Sequence, residues 1–105
     1  MIVTFEEEYL RELYEFGKCS DKKHRFQPQI IKGYKARVEQ LLSAPSPESL
    51  YQFNSLHFEA LKGDKKGRFS VRINLNYRVE FTLTEINDTS ILTLCNIVEI
   101  SNHYS

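Results

Sequence analysis

Two short segments of strictly alternating character, separated by Asn74-Leu75-Asn76, constrain this chain more than any other feature. In Arg68-Phe69-Ser70-Val71-Arg72-Ile73, apolar residues fill every second position, and Arg68, Ser70 and Arg72 fill the others. The pattern returns after the break, with Tyr77, Val79, Phe81 and Leu83 in one register and Arg78, Glu80 and Thr82 in the other. Successive side chains of a strand point to opposite faces, so each segment reads as a half-buried strand. The polar break between them predicts a β-hairpin. Arg68, Arg72 and Arg78 then share its outer surface. Arginine is the side chain best shaped to hold a phosphate bidentately, although a solvated strand face is the plainer reading of the same three residues.

Upstream the period changes from two to nearly four. Ile2 to Phe5 reads as a short strand. Thr4 with Glu7 three residues on has the form of a capping box, and Tyr9, Leu10, Leu13 and Phe16 supply a helical stripe that stops at Gly17. A second helix begins near Pro28 and carries Ile30, Ile31, Tyr34, Val38, Leu41 and Leu42, until Ala44-Pro45-Ser46-Pro47 ends it. Glu48 to Phe53 adds a short helical turn. Strands are expected at 58–62, 67–73, 77–84 and 90–100, with Glu85-Ile86-Asn87-Asp88 as the polar turn before the last. The resulting β-α-α-β-β-β-β order predicts an α+β fold, one domain over residues 1–105, with two N-terminal helices packed on a mainly antiparallel sheet. In the last strand Glu99, Ser101 and His103 share parity with Cys95 and Thr93, opposite Leu92, Leu94 and Val98. That parity puts His103 on the arginine side.

Composition narrows the function classes. A chain of 105 residues with 41% hydrophobic and 27% charged residues is ordinary for a globular domain, so disorder is not expected. Met1-Ile2-Val3-Thr4-Phe5 runs into Glu6-Glu7-Glu8, without the basic start and apolar core of a secretory signal, and no apolar run approaches membrane-spanning length. A cytoplasmic protein without membrane contact is expected. Cys19 and Cys95 read as free thiols, and neither has the company a metal site needs, so no metal and no cofactor is expected. The zero net charge conceals segregation. Residues 18–37 carry seven bases against Asp21, and residues 57–78 carry six against Glu59 and Asp64, which suggests a polyanion held locally. Lys22-Lys23-His24-Arg25 reads as a solvated loop.

The central string Leu61-Lys62-Gly63-Asp64, Gly67, Phe69, Ser70, Arg72-Ile73, Tyr77-Arg78 and Phe81 resembles the small bacterial toxins of the RelE/ParE superfamily, in particular the HigB-like and YoeB-like ribosome-dependent mRNA endonucleases. The element order and size fit as well. The tail Ser101-Asn102-His103-Tyr104 ends in a His-Tyr pair as YoeB-like toxins do, whereas HigB-like members commonly close with Tyr-His. The resemblance implies cleavage by the RNA's own 2′-hydroxyl, which requires a base, cationic stabilisation of the phosphorane and an acid for the leaving oxygen. It assigns Glu59 as the base, Arg78 as the phosphate arginine and His103 as the acid. Lys62 and Arg72 would add charge stabilisation, and Tyr104 would stack on a base or orient the phosphate. His57 competes with Glu59 for the role of base. Arg68, Lys65 and Lys66 would join as RNA contacts. The implied partners are ribosome, mRNA and a cognate antitoxin encoded by the adjacent gene, which is often a helix-turn-helix protein in HigB-like systems. Two other functions share the fold: a ParE-like inhibitor of DNA gyrase, and a catalytically inactive RNA-binding domain.

Overall fold

The computed structural model describes residues 1–86 and 92–102. Along them run β1 (Ile2–Phe5), α1 (Glu8–Phe16), α2 (Pro28–Ser43), β2 (Glu59–Ala60), β3 (Phe69–Arg72), β4 (Tyr77–Glu85) and β5 (Thr93–Asn102), in the order that the periodicity predicts. Short 3-10 turns at Pro47–Gln52, Asn54–Leu56 and Gly63–Lys65 fill the connections. The strands form one sheet in the order β1-β5-β4-β3-β2, with β1 parallel to β5 and every other pair antiparallel. Among the described residues no helix is long and apolar enough to cross a membrane.

Both helices cover one face of this sheet. Tyr9, Leu10 and Leu13 of α1 and Ile30, Tyr34, Val38 and Leu41 of α2 are buried with Val71, Val79, Phe81, Cys95 and Ile97. Burying a large apolar side chain contributes roughly 1.5–3 kcal/mol, so this layer dominates folding. The approach is close at Gly33, where a Cβ would lie 2.6 Å from Ile73 Cγ2. A glycine in α2 therefore lets the helix settle onto the end of the hairpin. The Nε of Arg37 also donates to the Arg72 carbonyl at 2.7 Å, which ties the last residue of β3 to α2.

Three local expectations fail, each for a reason outside its own segment. Thr4 does not cap a helix: it lies within β1, its hydroxyl donates to Asn96 Oδ1 at 2.8 Å, and α1 starts at Glu8 behind an N-cap Glu7 whose side chain makes no capping bond. Pairing with β5 has claimed the residue. Phe16 leaves the apolar stripe at 62% exposure, because Gly17 turns left-handed at φ 72° and ends the helix there. The third concerns parity in β5. Glu80 pairs with Glu99 but Phe81 pairs with Ile97, so Val98 is an extra residue and the strand bulges. Thr93, Cys95 and Ile97 face the core before the bulge, and Ile100 does so after it. Glu99 and Ser101 thus reach the arginine face, as expected, but not in company with Cys95 and Thr93. His103 and Tyr104 lie outside the described residues, as do Asn87 and Asp88 of the predicted turn.

Candidate active site

The sheet face turned away from the helices carries two rows of polar side chains. In the acidic row, Glu59 stands opposite Ser70, Ser70 opposite Glu80, and Glu80 opposite Glu99. Like charges placed directly across a ladder repel. The connection from β2 to β3 answers them. Gly63 at φ 66° and Gly67 at φ 99° take backbone conformations that side-chain-bearing residues avoid, and Leu61 N–H donates to the Arg68 carbonyl at 2.8 Å to close the loop. This folds Lys65 and Arg68 over the row. Lys65 Nζ lies 2.6 Å from Glu80 Oε2, and Arg68 Nη1 lies 3.0 Å from Glu80 Oε1 and 2.8 Å from Glu99 Oε1. Glu80 is fully buried beneath them. Burial pushes its carboxyl up, yet hydrogen bonds from Lys65, Ser101 and Arg68 more than offset this and hold it below the ordinary carboxylate range.

In the neighbouring basic row, Arg72 stands directly opposite Arg78, and Arg78 opposite Ser101. Arg78 Nε donates to Ser101 Oγ at 3.1 Å and lies 3.3 Å from Glu80 Oε2. Arg72 has no ion-pair partner among the described residues. A shallow concavity lined by His57, Glu59, Ser70, Arg72, Tyr77 and Arg78 opens at this end of the face. Phe58 is buried and stacks near Phe69 and Phe81, at 5.7 and 6.1 Å between centroids, so the next residue, Glu59, is turned to the polar side. His57 holds a left-handed backbone at φ 48° and ψ 49°, an uncommon state for a residue with a side chain. Its Nε2 lies 3.6 Å from Glu59 Oε2. On the far rim, Asn74 Oδ1 accepts from the backbone N–H of Asn76 and Tyr77, both at 2.8 Å, and fixes the hairpin turn.

The fold therefore gathers His57 and Glu59, from β2 and the residues before it, with Arg72 and Arg78 of the β3–β4 hairpin, all within the continuous stretch 57–78. Lys62 and Lys66 are exposed on the 61–68 loop and do not line the concavity. Lys65 and Arg68 lie on the same face but are engaged by Glu80 and Glu99. Sequence reasoning missed Glu80 and Ser101 as functional neighbours. The signal was present, because Arg78 and Glu80 are two apart in one strand and so share a face, but the burial of Glu80 depends on a loop that comes from elsewhere. It also misread His24 as solvated. That ring stacks on Tyr9 at 3.7 Å and lies 2.8 Å from Asp21 Oδ2, pinning a loop whose Lys22, Lys23 and Arg25 are exposed. Phe26 of the same loop meets Tyr77 edge-on at 6.1 Å, at the rim of the concavity.

Chemically, two opposed guanidinium groups favour an oxyanion between them, and an adjacent imidazole–carboxylate pair is suited to accept a proton. Comparison with known proteins agrees in family. Residues 3–94 match the model of the HigB-like toxins, described as RelE-like toxins of type II toxin–antitoxin systems. The toxin HigB-1 of Vibrio cholerae serotype O1 is 34% identical over 82 residues, covering 77% of this chain and 82% of that protein. Among solved structures, YafQ from E. coli strain BL21(DE3) superimposes with a TM-score of 0.62 at 11% identity, over 97% of this chain and 92% of that one. The YoeB/ParE toxin from Agrobacterium tumefaciens does so with a TM-score of 0.60 at 13% identity, over 99% and 100%. At such identities these two speak for the fold, while the family rests on the first two matches. The resemblance carried by Leu61 to Phe81 is borne out, and the chain belongs to the HigB-like family of RelE-like toxins of type II toxin–antitoxin systems.

Proposed function

We propose that this toxin is an endonuclease that cuts messenger RNA on the ribosome, working in the cytoplasm until a cognate antitoxin silences it. The observation that carries the reading is the register pair Arg72–Arg78 beside His57 and Glu59. A ladder does not gain stability from two opposed arginines, whereas a phosphodiester between them could accept hydrogen bonds from both.

In the proposed reaction, the 2′-hydroxyl loses its proton to the His57–Glu59 pair and attacks the adjacent phosphorus. Arg72 and Arg78 stabilise the charge on the phosphorane. The bond to the 5′-oxygen then breaks, leaving a 2′,3′-cyclic phosphate on one fragment and a 5′-hydroxyl on the other once an acid supplies its proton. His57 can take the proton itself with Glu59 orienting it, or Glu59 can do so directly. At 3.6 Å the two are close enough to act as one unit. His103 is assigned the acid and Tyr104 the stacking role on sequence alone, since the family match ends at residue 94. The nucleophile belongs to the substrate, so the chemistry requires no metal.

The test is induction of the chain in cells with message ends mapped on ribosomes, with and without the neighbouring gene product. Growth arrest with codon-phased cuts, relieved by the antitoxin, supports the proposal. Arrest with intact messages and damaged DNA would select gyrase inhibition instead.

A further inference from the structure

We infer that Glu80 is a positioning residue for Arg78: buried beneath Lys65 and Arg68 beside the basic row, it holds the arginine through Nε, while Ser101, Lys65 and Arg68 hold Glu80. The inference rests on the reading of Arg78 as the group that meets the phosphate.

The bonding directions are fixed by the chemistry of each group. Ser101 has one hydroxyl proton, which it gives to Glu80 Oε2 at 2.6 Å, so its oxygen is left to accept from Arg78 Nε at 3.1 Å. Glu80 Oε2 also receives Lys65 at 2.6 Å, and Oε1 receives Arg68 at 3.0 Å. Arg78 is thus gripped by two acceptors that are themselves locked by others. Glu80 does not line the concavity, so it cannot touch a substrate bound there and acts only through its neighbours. A buried ion cluster is weak ground for stability, because apolar residues of the same volume often serve as well. What it supplies here is position. A guanidinium on a flexible stem becomes a fixed donor when its Nε is held, and donors fixed before the reaction stabilise developing charge without reorganising. Lys65 and Arg68 supply the positive charge that lets Glu80 stay ionised without drawing Arg78 away from the surface.

The test uses full-length Glu80→Gln, which keeps the shape and removes the charge, and Ser101→Ala, each made alone and combined with Arg78→Lys. Cleavage of message on programmed ribosomes gives kcat and KM, thermal melting reports folding, and the nitrogen-15 resonance of Arg78 Nε–H reports its anchoring. In folded Glu80→Gln, kcat should fall roughly ten- to hundredfold while KM stays within about twofold. The Arg78 Nε–H resonance should move and lose protection from solvent exchange. In the Arg78→Lys background the same change should add little, because the residue it positions is already altered. A purely structural role would leave the two losses multiplicative. Unchanged kcat in folded Glu80→Gln, or full multiplication, overturns the inference. If Glu80→Gln fails to fold, Ser101→Ala decides, with an unchanged kcat again counting against. If Arg78→Ala cleaves like the parent, the nuclease reading falls instead. The resonance in Glu80→Gln then decides the positioning role alone, for it if shifted and against it if unmoved.

Discussion

In the acidic row, the carboxylates of Glu80 and Glu99 are met by Lys65 and Arg68, and no buried side-chain nitrogen or oxygen among the described residues lacks a partner. In the basic row two residues along the same strands, Arg72 faces Arg78 across the ladder with a concavity in front of them. Both rows hold arginines borne on or beside the same hairpin, and both would count equally in a tally of positive charge. The difference is that Lys65 and Arg68 are turned onto Glu80 and Glu99, whereas Arg72 and Arg78 line an open concavity, with Glu80 and Ser101 gripping Arg78 through its Nε. Charge in a sequence marks a ligand site only after the charge the protein uses for itself has been subtracted.

The largest expected effect separates the rows directly. Arg78→Ala should lower message cleavage by about two to three orders of magnitude, the scale for removing one donor aimed at developing charge, with antitoxin binding retained. Kinetics on programmed ribosomes measure it. Glu80→Ala should act on the fold, costing roughly 3–5 kcal/mol in urea unfolding, because Lys65, Arg68 and Ser101 are left around an empty site. Arg68→Ala is the control that sharpens the contrast. Lys65 still pairs with Glu80, so the loss should be about 1 kcal/mol in stability and less than about tenfold in cleavage. A cleavage loss as large as that of Arg78→Ala would erase the distinction between the rows.

A smaller effect is expected with pH. The Glu80 carboxyl sits below its ordinary 4.5, since the hydrogen bonds it accepts outweigh its burial. A depressed folded-state value contributes stability that is complete above the unfolded value and lost as pH falls through the folded one. The unfolding midpoint of the parent should therefore hold, for this group, at pH above about 5 and decline below about 4. Glu80→Gln, with no proton to take up there, should show a shallower acid limb, measured by denaturant midpoints across that range.

The contrast also explains what could be read in advance. The helices and strands follow from period, because Ile30, Tyr34, Val38 and Leu41 can share a face only on a helix, and Val79 and Phe81 only on a strand. Alternation alone placed Arg72 and Arg78 on the outer face of the hairpin, where they stand opposite one another, whereas Glu59 was named only through the resemblance carried by the string from Leu61 to Phe81. The bulge at Val98 was not legible, since it is defined by the partner strand and no residue type announces it. Thr4 failed as a cap for the same reason: its hydroxyl is claimed by Asn96, ninety-two positions away. Glu80 was the costliest omission. Its sequence neighbours make it look like an outward-facing carboxylate, and its burial exists only once Lys65 and Arg68 have folded over it.

The central claim is that the basic row cleaves RNA positioned by the ribosome. Free RNA held by a few cations binds weakly and loses affinity with salt, whereas an ordered message presents its 2′-hydroxyl in line. The most direct measurement supplies one message to equal amounts of parent and Arg78→Ala protein at moderate salt, free or on programmed ribosomes, and scores rates and end groups. The account predicts 2′,3′-cyclic phosphate ends formed rapidly on ribosomes by the parent, slowly on free RNA, and scarcely at all by Arg78→Ala. Equal cutting of free and ribosome-bound message, or intact message with the active parent, would contradict it.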